Sequence, residues 1–193
     1  MKEQIKRKFI EHIDIIERIG DASITKIEKA AQTIIDCYKN GGKVILFGNG
    51  GSAADAQHIA AELVGKYKLA RRALPAIALT TNSSIISAIG NDYGFEKVFS
   101  RQVEALVNEN DVVIALSTSG NSENVIAGIL AAKKKGCKTI ALTGSSGGRL
   151  KETADILLNV PSDDTPRIQE AHITIGHILC GLVEDAIVEA DGL

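Results

Sequence analysis

Tryptophan is absent from the 193 residues, and aromatic residues make up only 4%. That scarcity excludes an aromatic stacking platform for single-stranded nucleic acid. An excess of charge of one sign is lacking too. The 22 Lys and Arg against 24 Asp and Glu leave a formal net charge of −2, which argues against nucleic acid or a membrane surface as partner. Cysteine is sparse: Cys37, Cys137 and Cys180 lie far apart, with no CxxC pair. An odd, scattered set reads as reduced thiols, each a small core residue of a cytoplasmic protein. No apolar run approaches the roughly 18 residues of a membrane span, and the charged stretch 1–11 has no signal-type apolar region. Linkers, low-complexity tracts and internal repeats are missing as well. With 45% apolar residues, this length suits a single domain, 1–193, with a sizeable core.

Residues 1–40 carry no strand signal. Ile5, Phe9, Ile13, Ile16 and Ile19 recur at helical spacing until Gly20, and Ile24, Ile27, Ala31, Ile34, Ile35 and Tyr38 repeat the pattern up to 40–42. Two amphipathic helices are predicted ahead of the main fold, as a lid over the sheet or as a contact between subunits. From 43 to 193 the pattern changes. Short apolar runs at 43–47, 75–79, 111–117, 138–144 and 154–160 alternate with helical segments. Such alternation predicts an α/β fold, a parallel sheet covered by helices on both faces. A last helix from Ile168 to about Glu189 shows an apolar stripe at Ile168, Ile175, Ile178, Leu179, Leu182 and Val183.

In open parallel sheets, ligands bind beyond the carboxyl ends of the strands, so the loops there are the informative ones. Residues 47–58 (FGNGGSAADAQH) place Gly48, Gly50 and Ala53 in a G-x-G-x-x-A pattern. A dinucleotide would need an acid at the end of the next strand, where this chain has Thr80, Thr81 and Asn82. The glycines still allow a ligand close to the backbone. Residues 116–122 (LSTSGNS) cluster Ser117, Thr118, Ser119 and Ser122 between a strand and a helix. Hydroxyls and helix N-terminal amides attract an anion. Without a Walker lysine, a single phosphate monoester fits better than a triphosphate. Asn91 and Asp92, amid glycines in GNDYGF (90–95), read as a turn within possible reach of substrate.

His58 and Glu62 are four residues apart on the helix that opens near Ser52. That spacing puts both on one face, and an imidazole with a carboxylate can chelate a divalent metal. Gln169 and His177, eight residues apart on the last helix, also share a side. His172 points partly elsewhere and reads as a packed histidine; His12 reads as surface. Together, His58, Glu62, Gln169 and His177 could make a four-ligand zinc site. Lacking a thiolate and including a weak glutamine ligand, it suits catalysis more than structure.

With these residues the sequence closely resembles the phosphoheptose isomerase family of the sugar-isomerase (SIS) domain superfamily. The matching motifs are GNGGSAADAQHIAAEL (48–63), AIGNDYGF (88–95), FSRQVEAL (99–106), LSTSGNS (116–122) and RIQEAHITIGHIL (167–179), and the likeness covers nearly the whole chain. The resemblance implies a three-layer SIS fold with a five-stranded parallel sheet. It implies a homotetramer with active sites shared between subunits, and one zinc per subunit held by His58, Glu62, Gln169 and His177. Ser117, Thr118, Ser119 and Ser122 would hold the phosphate, with Asn49, Gly50, Gly51, Ser52, Glu62, Asn91, Asp92 and Gln169 around the sugar. The implied reaction makes D-glycero-D-manno-heptose 7-phosphate from sedoheptulose 7-phosphate for bacterial surface polysaccharide such as lipopolysaccharide. Relatives often carry arginine where this chain has Lys66, which keeps the charge but loses the fork geometry.

Ketose–aldose isomerisation through an enediol needs a base at carbon, a proton source at oxygen and charge stabilisation on the enediolate. Glu62 is the candidate base at carbon 1 and His177 its partner. Asp55 is a candidate for assisting ring opening. The rival expectation is a non-catalytic, partner-binding SIS protein of the DnaA-initiator-associating type. Such relatives depart from the metal set at the glutamate and the last histidine, and both Glu62 and His177 are present here.

Overall fold

The computed structural model describes residues 1–192, and within them five strands form one parallel sheet. The strands are β1 (Val44–Gly48), β2 (Ala76–Ala78), β3 (Val112–Leu116), β4 (Lys138–Thr143) and β5 (Ile156–Asn159), in the order β2-β1-β3-β4-β5. Each coincides with one of the five apolar runs. Val44, Leu46, Val112 and Ile114 face one way and Ile45, Phe47, Val113 and Ala115 the other, as the two-residue period of a strand requires. In β1 and β3 every residue is buried, so these runs are apolar throughout rather than alternating, while the edge strands β2 and β5 are only partly covered.

One face is covered by α2 (Asp21–Lys39), α3 (Gly51–Val64) and α8 (Thr165–Asp191). The other lies under α5 (Ser100–Leu106), α6 (Glu123–Lys134) and the single turn α7 (Leu150–Thr153), with α4 (Ser83–Tyr93) beside them. A Cβ on Gly128 of α6 would lie 2.6 Å from Phe47 Cζ. The bare backbone there lets α6 settle onto the stacked Phe47 and Phe99 rings, whose centroids are 4.9 Å apart. The result is the three-layer α/β architecture expected for an SIS domain.

Several local expectations are corrected. In α1 (Lys2–Glu17) only Ile15 is buried, while Ile5, Phe9 and Ile13 are more than half exposed, so this helix is no lid over the sheet. α2 does bury its stripe. On α8, Ile178 and Leu182 turn outward while Ile168, Ile175, Leu179 and Val183 are buried. Asn91 and Asp92 lie in the last turn of α4 and not in a turn; the glycine that breaks the helix is Gly94, at φ +89°. His12 is only partly exposed, and its Nδ1 lies 2.9 Å from Glu170 Oε2, which joins α1 to α8. The 27-residue α8 does contain an 18-residue window with a mean hydropathy of 1.4, long and apolar enough to cross a membrane by composition. Half of that window is buried against the rest of the fold, as in the core helix of a globular domain.

A buried ion pair ties α8 to the loop after α3. Arg71 Nε and Glu184 Oε1 are 3.1 Å apart, with side chains 1% and 2% exposed. Glu184 also accepts the backbone N–H groups of Tyr67, Lys68 and Leu69 at 2.9, 2.6 and 2.8 Å. Arg71 donates to the carbonyls of Glu62 and Leu63 at 2.8 and 3.0 Å, closing the end of α3. Burial pushes the Glu184 carboxyl up, but the N–H donors of Leu69, Lys68 and Tyr67 and the Arg71 charge outweigh it and hold it below the usual 4.5. Replacing Glu184 by Gln leaves Arg71 buried without its counter-charge, and urea unfolding near neutral pH is expected to show a loss of about 3 kcal/mol or more. Because the native carboxyl is depressed, its stabilisation is present above 4.5 and is lost as pH falls towards the lowered native value. The gap between Glu184→Gln and the parent is therefore expected to narrow in acid.

Candidate active site

Strand order sets where a ligand can enter. The chain leaves β1 for β2 on one side and then returns to place β3 on the other, so the connections diverge between β1 and β3. That divergence opens a crevice at the carboxyl ends of these two strands. The two loops singled out in the sequence follow those strands.

After β1, the chain turns through Asn49 and Gly50 into α3. Gly50 has φ +55°, a conformation that side chains rarely adopt. A Cβ on Gly51 would lie 2.5 Å from Gln169 Nε2, so the first turn of α3 abuts the Gln169 amide of α8. Ser52 is buried and packs beneath Gly48.

After β3, Ser117 is buried and its Oγ lies 3.1 Å from Ser122 Oγ. Ser119 Oγ accepts the N–H of Asn121 at 3.1 Å, and Thr118 anchors the loop by accepting Gly144 N–H through its carbonyl at 2.9 Å. Gly120, at φ +66°, lies so close to Gly147 that no Cβ would fit. Ser122 is the N-cap of α6, yet its side chain caps none of the helix's amides. Ser117, Thr118, Ser119 and Ser122 thus gather just ahead of α6, whose first N–H groups have no intrahelical partner and could donate to an oxyanion.

The two loops are joined by a pair of side-chain amides. Asn49 Nδ2 donates to Asn124 Oδ1 at 2.8 Å, and Asn124 Nδ2 donates back to Asn49 Oδ1 at 2.9 Å.

Farther along α3, the helix packs closely on α8. A Cβ on Gly176 would lie 2.7 Å from Ile59 Cδ1, so this glycine permits the approach that brings the neighbouring His58 and His177 together, their rings edge to face at 75°. Their Nε2 atoms are 3.3 Å apart, and His58 Nε2 is 3.2 Å from Glu62 Oε1. Ligand atoms of His58, Glu62 and His177 all lie within 4.8 Å of one another. Ligands around one tetrahedral ion with bonds of about 2.1 Å would be separated by about 3.4 Å, so the donor set and its spacing fit a single divalent metal ion. Gln169 lies eight residues before His177 on α8.

Asp55, one turn before His58, has Oδ2 buried without a partner; burial pushes its carboxyl up, and the nearby His58 only partly opposes this. Asn91 and Asp92 bond to each other at 2.8 Å, and Asp92 lines a groove between α4 and α5 with Ile89 and Arg101. His172 is fully buried, donates from Nε2 to Thr143 O at 3.2 Å, and is pushed down to about 4 by desolvation. It is the packed histidine the sequence suggested. All three cysteines are buried and free, as expected.

Four residues at the site escaped the sequence reading. The Tyr67 ring stacks on His177, with centroids 5.5 Å apart and planes 25° apart, and Lys68 Nζ sits 5.0 Å over the ring of Tyr67. Arg71 closes the end of α3 just beyond Glu62. Asn124 was detectable as a polar residue directly before the apolar Val125 and Ile126. Tyr67 and Arg71 carry no spacing signal, because a loop of irregular shape brings them back.

The SIS domain family matches residues 9–144. The phosphoheptose isomerase of Geotalea daltonii is 54% identical over 184 residues, which are 95% of this chain and 96% of that protein. Among solved structures, the phosphoheptose isomerase of Neisseria gonorrhoeae superposes with a TM-score of 0.90 at 44% identity, covering 95% of this chain and 98% of that one. The enzyme of Francisella tularensis gives 0.91 at 41% identity, covering 95% and 97%. Sequence, fold and the meeting of α3 with α8 lead to one assignment: the chain belongs to the phosphoheptose isomerase family of SIS-domain proteins.

Proposed function

We propose that the protein is a cytoplasmic aldose–ketose isomerase that converts sedoheptulose 7-phosphate to D-glycero-D-manno-heptose 7-phosphate through an enediol, with the help of one zinc per subunit. The observation that carries this reading is the convergence of His58, Glu62 and His177 where α3 meets α8, in a chain more than half identical to a phosphoheptose isomerase. A non-catalytic partner-binding protein would have no use for that trio. The product would supply heptose for lipopolysaccharide and related surface polysaccharides.

The phosphate is held by Ser117, Thr118, Ser119 and Ser122, where hydroxyls and the α6 amides donate to its oxygens. Asn49, Gly50, Gly51 and Ser52 hold the sugar, with Asn91, Asp92 and Gln169 as further contacts. His58, Glu62, Gln169 and His177 hold the zinc, which as a Lewis acid would stabilise negative charge developing on the sugar oxygens. Glu62 removes the proton from carbon 1 of the ketose and, once protonated, returns a proton to carbon 2 of the enediol. Its Oε1 faces His58, which leaves Oε2 for the carbon acid. His177, braced by Tyr67, transfers the proton at oxygen. Asp55, whose protonated form burial favours, assists ring opening. The bare Ile5, Phe9 and Ile13 face of α1 supports assembly as a homotetramer with active sites at the subunit interfaces.

Glu62→Gln keeps the shape of the side chain and removes its basicity. It is expected to lower kcat by about 10²–10⁴ with an unchanged thermal unfolding midpoint, measured with sedoheptulose 7-phosphate. Near-normal turnover would remove the base assignment. Dialysis against a strong chelator is expected to abolish turnover, and added zinc to restore it. Full activity in protein shown by elemental analysis to be metal-free would reject the metal's role.

A further inference from the structure

The Asn49–Asn124 pair is the direct side-chain link between the loop that holds the sugar and the helix that carries the phosphate cradle. It spans the crevice between β1 and β3, where the two halves of the sheet diverge. Asn124 lies in the first turn of α6 and is only 3% exposed. An asparagine in that position could cap the helix, but both polar atoms of this one are committed to Asn49. A buried polar pair is a poor way to stabilise a core, since apolar residues of similar size pack there without desolvation cost. Its two-point geometry does something an apolar contact cannot, because it fixes the plane of the Asn49 amide. One N–H and one lone pair of Asn49 are spent in the clamp. The amide keeps one of each, aimed from a partly exposed residue at the rim of the crevice.

We propose that Asn124 is a positioning residue, which locks Asn49 and the glycine loop at a fixed distance from the serine cradle so that a substrate gripped by its phosphate presents its far end to Glu62 and His177. This rests on the isomerase reading above. A phosphorylated ketose held at one end gains from a fixed distance to the reacting carbon, and small misplacements there are costly to rate. Binding of phosphate alone does not depend on that distance.

The experiment pairs turnover with phosphate affinity. Asn124→Leu and Asn124→Ser are assayed on sedoheptulose 7-phosphate, and inorganic phosphate binding is measured by calorimetry on the same zinc-loaded proteins. The serine variant leaves room for water against Asn49 and keeps the test available where the leucine variant does not fold. The expected result is a fall in kcat/KM of about tenfold or more, carried mainly by kcat, with phosphate affinity within about twofold of the parent. Unchanged kcat/KM overturns the proposal. So does a parallel loss of turnover and phosphate affinity, which would make Asn124 a support for the cradle alone. A parent protein that binds phosphate but does not turn over the heptulose refutes the isomerase reading instead, and the positioning role falls with it.

Discussion

The Arg71–Glu184 ion pair is the constraint on which the site depends. Two helices bearing His58, Glu62 and His177 have to stop sliding past each other before three side chains can meet within a few ångströms. Arg71 gathers the last carbonyls of α3, and Glu184 of α8 gathers the amides of the following loop. A buried charge pair of this kind adds little net stability compared with apolar packing, but it tolerates only one arrangement. The same loop delivers Tyr67 against the His177 ring, so the clasp that sets helix register also sets the imidazole. Gly176 complements it by letting the backbones approach at Ile59.

The site is thereby divided between two kinds of anchoring. At the crevice, glycines and hydroxyls present backbone and O–H donors on loops pinned to strands β1 and β3. On the flank, charged and imidazole groups project from long helices held by packing. The seam between them runs along α8, from Gln169 beside Gly51 to His177 beside His58. One rigid helix therefore spans both ends of the site, and this explains why its apolar stripe is interrupted by polar residues.

Much of this was legible in the sequence, for identifiable reasons. The strands were readable because β1 and β3 are buried on both faces and so are uniformly apolar. Spacing alone put His58 over Glu62, since four residues make one turn. That α3 would face α8 could not come from periodicity; it follows from both helices covering the same face of the sheet and from Gly176. Burial misled where apolar residues serve no core in the single chain: Ile5, Phe9 and Ile13 of α1, and Ile178 and Leu182 of α8, match helical spacing yet face outward. Asn91 and Asp92 looked like a turn because of flanking glycines, but only Gly94 has the left-handed backbone that ends a helix. His12 looked like a surface residue because its partner Glu170 is 158 positions away.

The serine cradle contains no lysine, arginine or histidine among Ser117–Ser122, and its donors are hydroxyls and peptide N–H groups. None of these changes protonation across the range in which a cell operates. A phosphate monoester seated there would meet the same field at every physiological pH, and the ionisation left to vary at that end is its own second one, near pH 6. Grip at that end would therefore owe nothing to the protonation of a side chain among Ser117–Ser122.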